Sequence, residues 1–214
     1  MKKTITLLFT ITLSLISLRC HAQSFDGGLT AGVVASQING DNYAGYHQIG
    51  WTGGIFGRIP TDGPSSWQLE LKYSLFGAHS DNKEIEAGML PMNVRLHYVE
   101  LPIMYRYNLS KLSVNGKRLD FTTLELGLSG DFLFKNVQEA DHDGGFDISS
   151  WAFFSVTGNI GLQFDINDRF GINLRFMNSV VPCRWKPNVG SYFLHYFNTV
   201  LEATATYTII HKGN

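Results

Sequence analysis

The stretch "WQLELKYSLFGA", residues 67–78, narrows the folds open to this chain more than any other. Trp67, Leu69, Leu71, Tyr73 and Leu75 share one parity, and Gln68, Glu70, Lys72 and Ser74 share the other. A period of two marks a strand with one apolar and one polar face. Two environments accept such a strand. In a soluble sandwich the apolar face is the core, whereas in a membrane barrel it meets lipid and the polar face fills the bore.

Eight β-segments can be read along the chain, at approximately 27–37, 48–59, 66–77, 93–108, 120–135, 151–165, 169–179 and 193–210, and sustained helical periodicity is absent. The clearest apolar faces are Leu124, Leu126, Leu128, Phe132 and Phe134; Phe154, Val156, Ile160, Leu162 and Phe164; Phe170, Ile172, Leu174 and Phe176; and Leu201, Ala203, Ala205, Tyr207 and Ile209. The opposite faces carry Glu125, Ser129 and Asp131; Ser155, Thr157, Asn159 and Gln163; Asn173 and Arg175; and Glu202, Thr204, Thr206 and Thr208. Such faces are too charged for a dry soluble core, where each unpaired charge costs several kcal/mol. A barrel bore can hold them, because they pair with one another and with trapped water. The sequence therefore predicts an all-β, eight-stranded antiparallel up-and-down transmembrane β-barrel, with Leu71 facing lipid.

The N-terminal segment fits that location. "MKKTITLLFTITLSLISLRCHAQS" has a basic start at Lys2 and Lys3, an uncharged apolar run from Thr4 to Leu18, and a small-x-Ala end at Cys20-His21-Ala22. This is the pattern of a cleaved secretory signal peptide over residues 1–22, leaving a barrel domain over 23–214. The apolar run is too short for a spanning helix, which needs about 20 residues. Cleavage removes three of the 17 basic residues, so the mature chain is near −4 against its 18 acidic ones. A nucleic-acid partner would ask for a basic stripe, and none is present. Cys183 is the sole mature cysteine, so no internal disulfide can form.

Loop lengths agree with a barrel whose N-terminus is periplasmic. The outer loops "NGDNYAGYHQ", "HSDNKEIEAGMLPM", "NVQEADHDGGFDIS" and "SVVPCRWKPNVGS" are long, and the inner turns "PTDGPSS" and "DINDR" are short. The inner "NLSKLSVNGKRLD" is longer, and its Asn115-Gly116 pair signals a hairpin that continues the strands. Tyr43, Tyr46, Trp51, Trp67, Tyr98, Tyr105, Tyr107, Trp151 and Tyr192 lie near segment ends, where interfacial aromatic girdles form. Pro102 cannot donate a ladder hydrogen bond, so a bulge or local break is expected at Leu101-Pro102.

Two stretches resemble a known family. "LTAGVVASQINGDNYAGYHQIGWTGGIFGRI" and "YVELPIMYRY" (residues 98–107) are similar to PorT-like outer-membrane β-barrels: a Gly-rich opening strand, a Ser-x-Ile-x-Gly exit, a second Gly-rich strand, and a Tyr-x-Glu-Leu-Pro strand followed by a basic residue and Tyr. The resemblance covers the mature chain by segment order. It implies a Gram-negative outer-membrane location and, for some members, a role in protein secretion.

The expected lumen set is Arg58, Glu70, Lys72, Glu100, Arg106, Glu125, Asp131, Arg175 and Glu202. An eight-stranded barrel has an interior just wide enough for side chains to fill it, so these residues are expected to form a structural plug rather than an ion path. Asp141, His142 and Asp143 in "DHDGG" are adjacent but lack metal-site spacing and read as a solvated loop. No cofactor or metal is expected. Ser74, Ser80, His79, His97 and His195 supply hydrolase residue types without a recognisable constellation. Cys183, beside Arg184, reads as an incidental exposed thiol in an outer loop.

The function expected is that of a non-enzymatic membrane scaffold or accessory subunit with a plugged polar lumen, in secretion or envelope assembly. Its partners would be outer-membrane lipid and envelope or secretion proteins reached through loops or turns. A lipid-modifying outer-membrane enzyme and a small channel are the alternatives.

Overall fold

A computed structural model describes residues 25–40, 45–61, 63–81, 85–86, 88, 92–114, 117–140, 151–185, 192 and 195–211. The expected signal peptide, the "DHDGG" motif and the Asn115-Gly116 pair lie outside the described residues. The strands are β1 (Asp26–Asn39), β2 (Gln48–Pro60), β3 (Ser65–His79), β4 (Met92–Asn108), β5 (Ser113–Val114), β6 (Lys117–Arg118), β7 (Thr122–Ala140), β8 (Phe154–Asp165), β9 (Phe170–Ser179) and β10 (Phe197–His211). A 3₁₀ turn at Leu109–Lys111 follows β4, capped by the Asn108 side chain, which accepts from the Ser110 N–H at 2.9 Å.

β1, β10, β9, β8, β7, β4, β3 and β2 form a closed antiparallel barrel in that order, and β5–β6 form a separate two-stranded hairpin. Closure pairs the first strand with the last, from Asp26–His211 to Asn39–Phe197, so no strand edge is left in the wall. Each of the eight segments read from the sequence falls on one barrel strand. The largest departure is β7, which continues to Ala140 instead of ending at 135. Among the described residues no helix is long and apolar enough to cross a membrane.

The parity of "WQLELKYSLFGA" resolves as expected. Leu69 and Leu71 are 55% and 46% exposed on the outer face, while Glu70 and Lys72 are 3% and 1% exposed inside. The same outward apolar face recurs around the wall, at Ile55, Ile103, Leu126, Ile160, Leu174 and Leu201. A belt of this size on the outside of a closed barrel has lipid as its natural solvent.

Three ladder irregularities shape the wall. The β3–β4 ladder runs to Leu69–Ile103 and resumes at Lys72–Glu100, in unchanged register. The intervening pairs at Pro102 and Leu101 are missing because Pro102 has no N–H to give. This is the local break expected there, and no bulge accompanies it. On its other side β4 stays paired through Pro102–Ser129 and Leu101–Gly130. Register shifts lie elsewhere: His97 opposes Lys135 and Tyr98 opposes Leu133, which leaves Phe134 unopposed on β7, and Gly27 opposes Ile210 while Gly28 opposes Thr208, which leaves Ile209 unopposed on β10. Near the outer end of β3, Gly77 has φ +152°, and a Cβ there would sit 1.8 Å from the Val94 carbonyl oxygen. Its N–H instead donates to Ser36 Oγ at 2.9 Å, and that hydroxyl donates back to the Gly77 carbonyl at 3.1 Å.

Candidate functional site

The bore is filled in two storeys. The periplasmic storey is ionic. Lys72, on β3, reaches across the barrel to β10, with Nζ 2.6 Å from Glu202 Oε2, and lies 3.7 Å from Glu100 and 3.8 Å from Glu70. Arg175, on β9, grips Glu70 with both ends of its fork, at 3.1 and 2.9 Å. Its Nη2 also lies 2.9 Å from Glu125, and its Nη1 lies 3.6 Å from Glu202. Arg106, on β4, places Nε 2.7 Å from Glu125 and donates to Gln68 at 2.8 Å. Asp131, cross-strand from Glu100, accepts from Ser129 Oγ at 2.5 Å and from Thr157 Oγ1.

Eight of the nine expected lumen residues are therefore buried in the bore: Glu70, Lys72, Glu100, Arg106, Glu125, Asp131, Arg175 and Glu202. Arg58 is only half-buried, at the periplasmic mouth, where it donates to Gln68 at 3.1 Å and lies 3.9 Å from Asp26. The network also uses neutral residues outside the charged set. Asn173 donates to Glu125 at 2.7 Å, Gln68 donates to Glu70 at 2.7 Å, and Gln163 donates to Thr206 at 2.9 Å. Their inward parity was visible in the sequence; their partners were not, because these lie on strands far away along the chain.

The outer storey corrects the expectation of a polar lumen throughout. There the inward positions include Val34, Ile38, Phe76, Ala78, Val94, Leu96, Tyr98, Leu133, Met177 and Val200, which form one buried apolar cluster, with Ser36, Ser179 and Asn198 buried beside it. On β3 the inward row changes from Gln68, Glu70, Lys72 and Ser74 to Phe76, and on β4 from Glu100 to Tyr98, Leu96 and Val94. Tyr98, expected near an interfacial girdle, is fully buried in this plug and accepts from Asn198 Nδ2 at 3.2 Å.

A segment of the β9–β10 connection packs against the outer end of this plug. Arg184 bridges Trp151 on one side and Tyr196 on the other. The Ala152 N–H donates to the Cys183 carbonyl at 2.8 Å, and the Cys183 N–H donates to the Tyr196 carbonyl at 2.9 Å. The Arg184 guanidinium lies 5.4 Å from the Trp151 ring and 5.5 Å from the Tyr196 ring, a cation–π sandwich. Cys183 is wholly buried against the plug, which overturns its reading as an exposed thiol. Its Pro and Arg neighbours suggested a solvated loop, but the strand-like bridges turn its side chain inward.

The hydrolase residue types are dispersed. Ser74 shares a 2.7 Å hydrogen bond with Thr52 inside the bore, while the His97 ring meets the Tyr73 hydroxyl at 2.7 Å outside it. His195 packs edge-on against Trp185, with ring centroids 4.5 Å apart.

A closed eight-stranded barrel with a continuous outward apolar belt and a filled bore is the architecture of a bacterial outer-membrane protein. The chain belongs to the outer membrane protein beta-barrel domain family, whose model matches residues 21–182, and it is a protein of the outer membrane. Among solved structures it is similar to the Neisserial surface protein A, at 11% identity and a TM-score of 0.51, covering 86% of this chain and 97% of that one. It also resembles Ail, the attachment invasion locus protein of Yersinia pestis, at 11% identity and a TM-score of 0.45, covering 86% and 98%. The N-terminal β-barrel domain of Pseudomonas aeruginosa OprF aligns at 10% identity and a TM-score of 0.36, covering 86% and 100%. At these identities the likeness is one of fold. No curated protein matches the chain by sequence.

Proposed function

We propose that this barrel is a non-enzymatic, non-conducting membrane scaffold or accessory subunit of the PorT-like kind, working in protein secretion or envelope assembly. The observation that carries this reading is the double filling of the bore. An ion has to pass an apolar plug roofed by Arg184 and then a cross-strand lattice in which Lys72 and Arg175 are each held by several carboxylates. Opening either storey means separating paired buried charges or packed side chains, and neither is favourable without compensation. Such a barrel offers other proteins its loops and turns rather than a passage. The placement of Ser74 and His97 on opposite faces of the wall speaks for the non-enzymatic reading over a lipid-modifying one.

Two measurements test this together. Purified barrel in planar bilayers is expected to give no stable conductance steps, and gentle solubilisation of native membranes is expected to bring down a reproducible set of envelope proteins. Regular single-channel steps from a clean preparation would favour the channel. Turnover of a lipid substrate that is lost in a folded His97→Gln variant would favour the enzyme.

A further inference from the structure

The outer edge of the apolar belt on β3, β4 and β7 carries a cationic patch. On the outward face of β4, the row Tyr105, Ile103, Leu101 and Val99 ends at His97 and then Arg95. On β7 the unopposed Phe134 shifts the phase of the strand, so that Phe134 and Lys135 are both exposed. Without that extra residue Lys135 would keep the inward parity of Asp131 and Leu133. The bulge thus puts Lys135 on the outside, directly cross-strand from His97. Cross-strand partners stand about 5 Å apart at Cβ, and Arg95 is one outward position further along β4.

Arg95 and Lys135 both lie within electrostatic range of the His97 ring, and among the described residues neither has an ion-pair partner. By register Glu139, opposite Asn93, is the next acidic position toward the outer ends of β4 and β7. The patch also has an aromatic base. Trp51 and Tyr73 rings lie 4.4 Å apart, and Phe134 lies 5.9 Å from Tyr73 and 6.0 Å from His97. The Tyr73 hydroxyl and His97 Nδ1 share a 2.7 Å hydrogen bond, which leaves the other ring nitrogen, Nε2, for a ligand at this level.

We propose that this patch binds a phosphate on the headgroup of an outer-leaflet glycolipid. The apolar belt of such barrels is about 25 Å tall, and on strands tilted near 40° that is about ten residues, the distance from Tyr107 to His97. Arg95 and Lys135 therefore stand at headgroup level and not among acyl chains. Two cations and an imidazole facing outward complement an anion with several acceptor oxygens. The aromatic base lies beneath, where the sugar meets the acyl chains. This inference needs only the outer-membrane location and is independent of the accessory role proposed above.

The test is native mass spectrometry of the full-length barrel released from phosphatidylcholine nanodiscs doped with diphosphorylated lipid A, dephosphorylated lipid A or phosphatidylglycerol. Wild type is expected to retain the diphosphorylated glycolipid and neither of the other two. An Arg95→Ser, Lys135→Ser double variant that keeps its heat-modifiable gel shift is expected to lose retention by about tenfold or more, as removal of charge-assisted contacts implies. Arg95→Lys with Lys135→Arg is expected to restore it. Equal retention by the folded double variant overturns the proposal, as does equal retention of the dephosphorylated glycolipid or of phosphatidylglycerol by wild type. If the double variant does not fold, the three-lipid comparison on wild type decides alone.

Discussion

Lys72 Nζ sits 2.6 Å from Glu202 Oε2, tying β3 to β10 inside the bore. The two residues are far apart in the chain, yet their ammonium–carboxylate contact lies at the centre of the ionic storey, with Glu100 and Glu70 close to the same nitrogen. Removing the ammonium takes from Glu100 its one ion-pair contact among the described residues and leaves Glu202 with Arg175 alone, at 3.6 Å. Lys72→Met is therefore expected to destabilise the barrel by about 3–5 kcal/mol, the cost of breaking a buried pair from one side. Reversible urea unfolding in lipid vesicles measures it, and a loss below about 1 kcal/mol would mean that water already screens the site.

Leu71 and Glu70 are adjacent in sequence and opposite in environment. Leu71→Arg places a charge on the lipid face and is expected to cost about 2–4 kcal/mol if the position is near the midplane. From sequence alone Glu70→Gln reads as the milder change. The bidentate grip of Arg175 on Glu70 alters that expectation, because an amide can accept only one of the two guanidinium hydrogen bonds. Each charge-assisted bond contributes about 1.5–3 kcal/mol, so the two variants should be comparable in unfolding free energy. Spin labels at both positions, read with lipid-soluble and water-soluble quenchers, check the faces independently: lipid-soluble quenching at 70 and not at 71 would reverse them.

Phe76 belongs to the apolar plug, with its ring 5.3 Å from that of Tyr98. Phe76→Ala is expected to cost about 3–5 kcal/mol through the cavity it leaves. It should not create conductance, because the ionic storey beneath it stays paired. The check is unfolding in vesicles alongside bilayer recordings of the same variant. Current through folded Phe76→Ala barrels would show that the plug alone closes the bore.

Cys183 lies within the segment that roofs the plug, with its side chain buried against the apolar cluster. A maleimide mass tag should leave the thiol unmodified in the folded barrel and label it fully once urea unfolds the chain. Rapid labelling of folded protein would mean that the roof opens readily. An Arg184→Ala variant, which loses the cation–π sandwich between Trp151 and Tyr196, should label faster than wild type while remaining folded.

Much of this molecule could be read from the sequence because side-chain parity in a strand is a local property. Leu69 and Leu71 must leave on the side opposite Glu70 and Lys72 wherever the strand ends up, and the charge on the second face rules out a dry core. The order of eight such strands with alternating long and short connections then leads to a closed barrel. The ladder break at Pro102 follows just as locally, from a residue with no N–H.

What lies across the bore is decided by closure. The sequence placed Lys72 and Glu202 on inward faces, but their contact depends on the stagger with which β1 meets β10 and on the tilt that stagger imposes. The same holds for the change from ionic to apolar filling, which emerges only when the outer ends of β1, β3, β4, β7, β9 and β10 are brought to one level. Cys183 and Lys135 show the limit most clearly. One is turned inward by bridges to residues on either side of it, and the other is turned outward by a single unopposed phenylalanine. Neither displacement has a local sequence signature, because each results from the hydrogen-bonding demands of neighbouring strands, which only the closed barrel supplies.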